Sequence, residues 1–191
     1  MPKISEERRQ QQRQRIIDAT MTVLQERGFA RSSMSQIIAA SGMSAGAIYG
    51  YFPSKEELFR EVARQVLGKR LGGLAQSPSG EVPPPEEALS AFFEQLREGK
   101  PGSKMIVQMW GEAVNDESMR AIAQQVLTEA KGAVEEYLVA WFTQEGEGDP
   151  VRRARETVGP VLALGQGAVL QSALLGGPAF RVEEGLRMML K

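Results

Sequence analysis

Apolar residues along this 191-residue chain recur at every third or fourth position, and long alternating runs of β-branched residues are missing. That spacing predicts helices almost throughout. Ile16, Thr20, Val23 and Leu24 make one face of a first helix, which Gly28 is expected to end as a left-handed cap with Phe29 tucked behind it. Ser33 followed by Gln36 is a capping box for a short second helix carrying Ile37 and Ile38, and Gly42 stops it. Ser44 caps a third helix and Pro53 closes it; Ser54 with Glu57 opens a fourth bearing Leu58, Val62 and Leu67. The stretch GGLAQSPSGEVPPP, residues 72–85, reads as a linker.

Beyond it lies a stripe of Leu89, Phe92, Phe93 and Leu96, ending at Gly99-Lys100-Pro101-Gly102. A second, of Ile106, Met109, Trp110 and Ala113, breaks near Asn115-Asp116. Met119, Ile122, Val126, Ala130, Ala133, Tyr137 and Trp141 then carry one long helix to Gly146. Asp149-Pro150 starts another by cap and N1 proline, Pro160 is expected to kink it, and Gly176-Gly177-Pro178 ends it. Val182, Leu186 and Met189 mark a short last helix. The predicted fold class is all-α with about nine helices. Its expected organisation is an N-terminal tail and helix-turn-helix domain over residues 1–53, a connecting helix over 54–71, and a larger helical domain over 72–191.

Composition narrows the chemistry. Cysteine and histidine are both absent, which removes disulfides, thiolate nucleophiles, Cys/His metal sites and Ser-His-Asp machinery together. The opening MPKISEERRQQQRQR is charged and lacks an apolar core, so no secretory signal is expected. The net charge of −1 hides an asymmetry: residues up to Gly73 hold 12 Lys and Arg against 7 Asp and Glu, and the remainder 11 against 17. A basic first part on an acidic remainder points to a polyanion met by the first part alone.

The second and third helices are joined by Ser41-Gly42-Met43, a tight turn with helix-turn-helix spacing in which the third helix is the reader. That helix, with Ala45, Gly46, Ala47 and Gly50, has almost no side chain to offer. A reader entering a major groove about 12 Å wide must approach closely, and small residues at its start bring backbone N–H groups to phosphates. Ile48 and Phe52 are expected to face inward, and Tyr49 and Tyr51 to turn outward with hydroxyls available to phosphate oxygens.

Residues 33–59, SMSQIIAASGMSAGAIYGYFPSKEELF, resemble the DNA-binding signature of the TetR family of bacterial transcriptional regulators. Ser33, Ile37, Gly42, Ser44, Gly46, Ile48, Tyr49, Tyr51, Phe52, Lys55 and Leu58 match the pattern or replace it conservatively. The resemblance implies a homodimer whose two N-terminal domains read half-sites of a palindromic double-stranded operator, with a C-terminal domain that dimerises and holds a small effector. It makes Ser33, Tyr49 and Lys55 the expected phosphate contacts, beside the Ser44 cap. Ser35, Ala45, Gly46 and Tyr51 fall where family members meet base edges or the groove wall. Gln36 stands where an acid is common, and Gly50 where a larger residue is usual. Specificity is therefore expected to lean on T-methyl contacts from Ala45, on Tyr51 and on DNA shape.

From Thr157 to Phe180 no charge occurs, but five glycines, Pro160, Pro178, Gln166, Gln171 and Ser172 make a poor membrane helix. Gly159, Ala163 and Gly167 recur every four residues, as do Ala168, Ser172 and Gly176. Beside the family layout this reads as a subunit interface, packed as a four-helix bundle with the last helix and its Leu186. The effector pocket is expected among the helices after the linker. Phe92, Phe93, Met105, Met109, Trp110, Tyr137 and Trp141 would form its wall, with Glu112 the nearest charge, which suits a lipophilic and even cationic molecule. No cofactor or metal is called for.

A carboxylate-based enzyme is the rival of another class. Glu86-Glu87 and Glu135-Glu136 are adjacent pairs, which on a helix point about 100° apart and do not converge. GQGAVL at 165–170 lacks the third glycine and the preceding strand of a nucleotide loop. The reading is a non-enzymatic, cytoplasmic bacterial repressor, on the nucleoid when bound to DNA; an activator of the same fold shares these residues.

Overall fold

The computed structural model describes residues 6–28, 31–71, 74, 80–98, 102–176 and 181–190. Nine helices and no strand occur among them: α1 (Glu6–Arg27), α2 (Met34–Ser41), α3 (Ala45–Tyr51), α4 (Lys55–Leu71), α5 (Pro85–Glu98), α6 (Ser103–Asn115), α7 (Glu117–Gln144), α8 (Pro150–Leu175) and α9 (Val182–Met189). The all-α expectation therefore holds. Phe29, the 99–101 stop and Gly177-Pro178 lie outside the described residues, as does most of the linker.

The short N-terminal helices owe their limits to local chemistry. Gly28 takes φ +74°, a left-handed conformation that costs glycine little, and its amide reaches the Leu24 carbonyl at 2.9 Å. The Ser33 hydroxyl accepts from the Gln36 amide while the Gln36 side chain accepts from the Ser33 amide, so the uncharged capping box forms in both directions. Gly42 ends α2 at φ +63°. Ser44 caps α3 through the Ala47 amide, and Ser54 caps α4 through that of Glu57. Ile16, Ile17, Leu24, Ile37, Ile48, Phe52 and Leu58 close a first core, which also takes in Met105 from α6 and Met119 and Ile122 from α7.

A second core fills the remainder, with Leu89, Phe92, Phe93, Val134, Leu138, Val158, Val161 and Leu186 deep inside. α8 runs unbroken through Pro160, whose exposed position accommodates the missing N–H, and packs against α5, α6, α7 and α9. By length and hydropathy alone α8 could cross a membrane. The linker is tied down where it is described. Leu74 is buried in the second core, and the Gln144 side chain pairs with both the amide and the carbonyl of Val82. The Tyr137 hydroxyl donates to the Pro83 carbonyl at 2.5 Å. Burial, followed by the nearby charges of Glu86 and Glu87, pushes that phenol well above its ordinary range.

One ion cluster locks α1 to α4. Arg13 donates to Glu61 at 2.8 Å and lies 5.3 Å from the centre of the Phe52 ring, while Arg64 meets the other Glu61 oxygen. Burial pulls the Glu61 pKa upward, but the hydrogen bonds and charges of Arg13 and Arg64 outweigh it and hold the carboxyl below its ordinary 4.5. Glu61→Gln is expected to lower stability at neutral pH by about 1–2 kcal/mol, both arginines being partly solvated. A depressed carboxyl contributes fully above its unfolded pKa and loses that contribution as pH falls through the folded one. Urea midpoints of parent and variant are therefore expected to differ at pH 7 and to converge as pH drops below 4.5.

Candidate nucleic-acid interface and internal cavity

α3 presents two different faces. Ile48 is fully buried and Phe52 nearly so, which pins the helix to the first core. Ser44, Ala45, Gly46, Tyr49 and Gly50 are exposed together on the other side. A methyl placed on Gly46 or Gly50 would meet nothing within 4 Å, and neither has a positive φ. Nothing inside the protein requires those glycines, although each weakens the helix by roughly 1 kcal/mol against alanine. Their bareness faces outward only.

Around this face, Ser35 is exposed with its hydroxyl 2.9 Å from that of Ser33, which is also the α2 cap. Tyr49 is 47% exposed. Tyr51 departs from expectation: it is half-buried against the first core and its hydroxyl donates to Gln12 of α1 at 2.7 Å. The phenol braces the reader against α1 instead of standing outward. Lys55 is also engaged, its ammonium 5.1 Å from the centre of the Phe59 ring. Asp116, the α7 cap, is held below its ordinary 3.8 first by the Ser118 hydroxyl and the Met119 amide, with a smaller pull from Lys55. The Arg15 guanidinium lies across the α2–α3 turn, 3.0 Å from where a side chain on Gly42 would begin.

The cavity lies between the two cores. An inner chamber of about 140 Å³ is walled by Phe92 and Phe93 of α5, Met105, Met109 and Trp110 of α6, several apolar residues of α7, and Leu162, Gly165 and Val169 of α8. Its remaining wall comes from Leu24 of α1 and from Phe59, Val62, Ala63, Val66 and Leu67 of α4. Gln166 supplies the single polar side chain among these residues. Apolar cavities of about 150 Å³ stay dry and take a benzene-sized guest. An open outer chamber of about 500 Å³ adjoins it, sharing Trp110, Ala123, Leu127 and Gln166 and adding Arg120 and Gln124.

Comparison with known proteins agrees with this geometry. Residues 16–62 match the model for bacterial regulatory proteins of the tetR family. The HTH-type transcriptional regulator BetI of Burkholderia thailandensis is 27% identical over 182 residues, 93% of this chain and 89% of the relative. The uncharacterized HTH-type transcriptional regulator YfiR of Bacillus subtilis is 32% identical over 98 residues, which span 51% of this chain and 47% of that protein. The solved structure of Salmonella enterica GusR superposes with a TM-score of 0.68 at 25% identity, covering 99% of this chain and 97% of that one. The chain belongs to the TetR family. It is a DNA-binding, helix-turn-helix transcriptional regulator.

In this TetR-family regulator five of the eight residues expected in the pocket line the cavity: Phe92, Phe93, Met105, Met109 and Trp110. The other three do not. Tyr137 is spent on Pro83, and Trp141 packs on the second core beside Phe142, 4.8 Å between ring centres. Glu112 lines neither chamber, and the charge at the mouth is Arg120, of opposite sign. Two residues expected at the subunit interface are also corrected. Leu186 is fully buried against α5 and Ala168 is 4% exposed, so both belong to the core of one subunit. Gly159 and Ala163 are exposed, and Gly167 and Ser172 are half-buried.

Sequence reasoning missed the α1 and α4 walls, because a linker between two domains suggests a pocket lying wholly beyond it. The available signal was surplus apolar residues on α4: Phe59, Ala63 and Val66 accompany the single stripe.

Gly165 is a glycine of the internal kind. A methyl there would overlap the Phe93 ring, which presses against the α8 backbone at this position. Gly165→Ala is expected to force that ring into the chamber and to cost about 1–3 kcal/mol by overpacking. Gly132→Ala, which meets open space on the exposed face of α7, is expected to stabilise that helix by roughly 1 kcal/mol. Urea unfolding of the two variants checks the opposite signs.

Proposed function

We propose that this TetR-family protein is a homodimeric repressor that binds a palindromic operator and is released by a small apolar effector. The observation that carries this reading is the shared cavity wall: α4, which follows the reader helix directly, also lines the chamber. An occupant pressing on Phe59, Val62 and Val66 would move α4 and with it the spacing of two readers, which must stay about 34 Å apart to span successive major grooves. In functional terms residues 1–53 form the reading domain, 54–71 the transmitting helix and 72–191 the effector and dimer domain.

On DNA, Ser33, Ser44, Tyr49 and Lys55 would position the phosphates, with Lys55 turning from its place over Phe59. Ser35, Ala45 and Gly46 would face the groove, while Tyr51 acts mainly by holding α3 to α1. The protein would work in the bacterial cytoplasm, on the nucleoid when bound, with α8 serving as a core and interface helix and not as a membrane span.

The base-reading assignment is tested by Ala45→Gln, which sits on the exposed face with no partner to lose. Selection from random double-stranded oligonucleotides is expected to return a palindrome for the parent and an altered half-site for the variant. An identical consensus would remove Ala45 from the groove.

The dimer would form on the α8 stripe of the exposed Gly159 and Ala163 and the half-buried Gly167, continued by Leu170 and Leu174, which are 41% and 71% exposed, with the exposed Met188 of α9 as a further candidate. Gly167→Leu is a clean probe, because its added side chain begins in open space within the subunit. The isolated subunit keeps its fold or gains helix propensity, whereas two abutting helices would be forced apart. Sedimentation is expected to show a weakened dimer of undiminished helicity, with palindrome affinity falling alongside. A full-strength dimer would place the interface elsewhere.

A further inference from the structure

The charge at the mouth of the cavity points to the class of effector, an inference that rests on the cavity's being the effector site. We propose that it takes an amphipathic monoanion, with its apolar body in the inner chamber and its carboxylate at the guanidinium of Arg120. The inner chamber is lined by apolar groups and one amide, and so selects a hydrocarbon or aromatic body of at least benzene size. The outer chamber changes character: Arg120, Gln124 and Gln166 are its polar groups, and no carboxylate lines either chamber.

Arg120 is held in place before any ligand arrives. Its Nε donates to the Ala113 carbonyl at 3.2 Å and its Nη2 to that of Val114 at 2.7 Å, the last turn of α6. The negative pole of that helix keeps the cation seated. The Nη1 donors remain unspent among the described residues, and no ion pair engages Arg120. A neutral molecule covering this mouth would strip water from the guanidinium and return at most an uncharged acceptor, whereas a carboxylate would supply an opposite charge with its hydrogen bond. The face of Trp110 could attract a cation, but Arg120 on the same wall repels one.

The measurement uses three eight-carbon probes that share a tail and differ in head: octanoate, octan-1-ol and octyltrimethylammonium. Trp110 stands where the chambers meet, and Trp141 lies away from them, so Trp141→Phe makes Trp110 emission the sole reporter. Octanoate is expected to bind about tenfold or more tightly than either other probe. Arg120→Gln is expected to bring octanoate down to the level of octan-1-ol and to leave octan-1-ol unchanged. Because that variant also removes bonds to the end of α6, Arg120→Lys, which keeps the charge, is measured beside it and is expected to retain part of the preference. If octan-1-ol equals octanoate, or the ammonium probe binds best, the anion assignment falls while the cavity remains an effector site. If none of the three binds, both fall.

Discussion

Everything in this molecule turns on α4 belonging to two hydrophobic cores at once. Leu58, Phe59, Val62 and Ala63 pack with α1 to α3, and Leu67 packs with the second core, four residues further along the same rigid rod. Burial of large side chains at both ends, each contributing roughly 1.5–3 kcal/mol, means neither end can slide without loss. The chamber sits where these two packings meet. The void there is therefore walled in part by the helix that directly follows the reader.

The glycines divide by what they face. Gly46, Gly50, Gly159 and Gly167 meet open space within the subunit, and they lie on the exposed side of α3 and along α8. Gly165 and Gly185 face inward, beneath the Phe93 ring and the Leu164 side chain. Outward glycines weaken their helices without benefit to the isolated subunit. They make sense when something outside must come close: a nucleic acid at α3, a second copy at α8. Inward glycines shape the cavity and fit α9 to α8.

Polar side chains here mostly anchor backbone or brace helices. Tyr137 and Gln144 hold the segment before α5, Tyr51 and Gln12 hold α3 to α1, and Arg120 closes the end of α6. The bonds of Tyr51, Tyr137 and the Arg120 Nε are partly buried, where an unpaired group would be costly, while those of Gln144 lie at the surface. Arg120 differs in keeping donors in reserve beside an otherwise apolar chamber.

Caps, periodicity and the reader face were legible in the sequence, because they arise from contacts within four residues. Ser33 with Gln36, Gly28, Gly42, Asp149-Pro150 and the buried Ile48 all stand as local chemistry dictates. The nine helices and the helix-turn-helix follow from such short-range rules, and with them the family. What a side chain does between helices distant in the chain was not legible. Tyr51 reaching Gln12, Tyr137 reaching Pro83, Leu186 buried against α5 and Arg120 replacing Glu112 at the cavity mouth each depend on which helices become neighbours. An aromatic or charged residue on a stripe has the same sequence signature whether its neighbour is core, cavity or solvent. Periodicity says which face is buried, and only packing between helices decides against what.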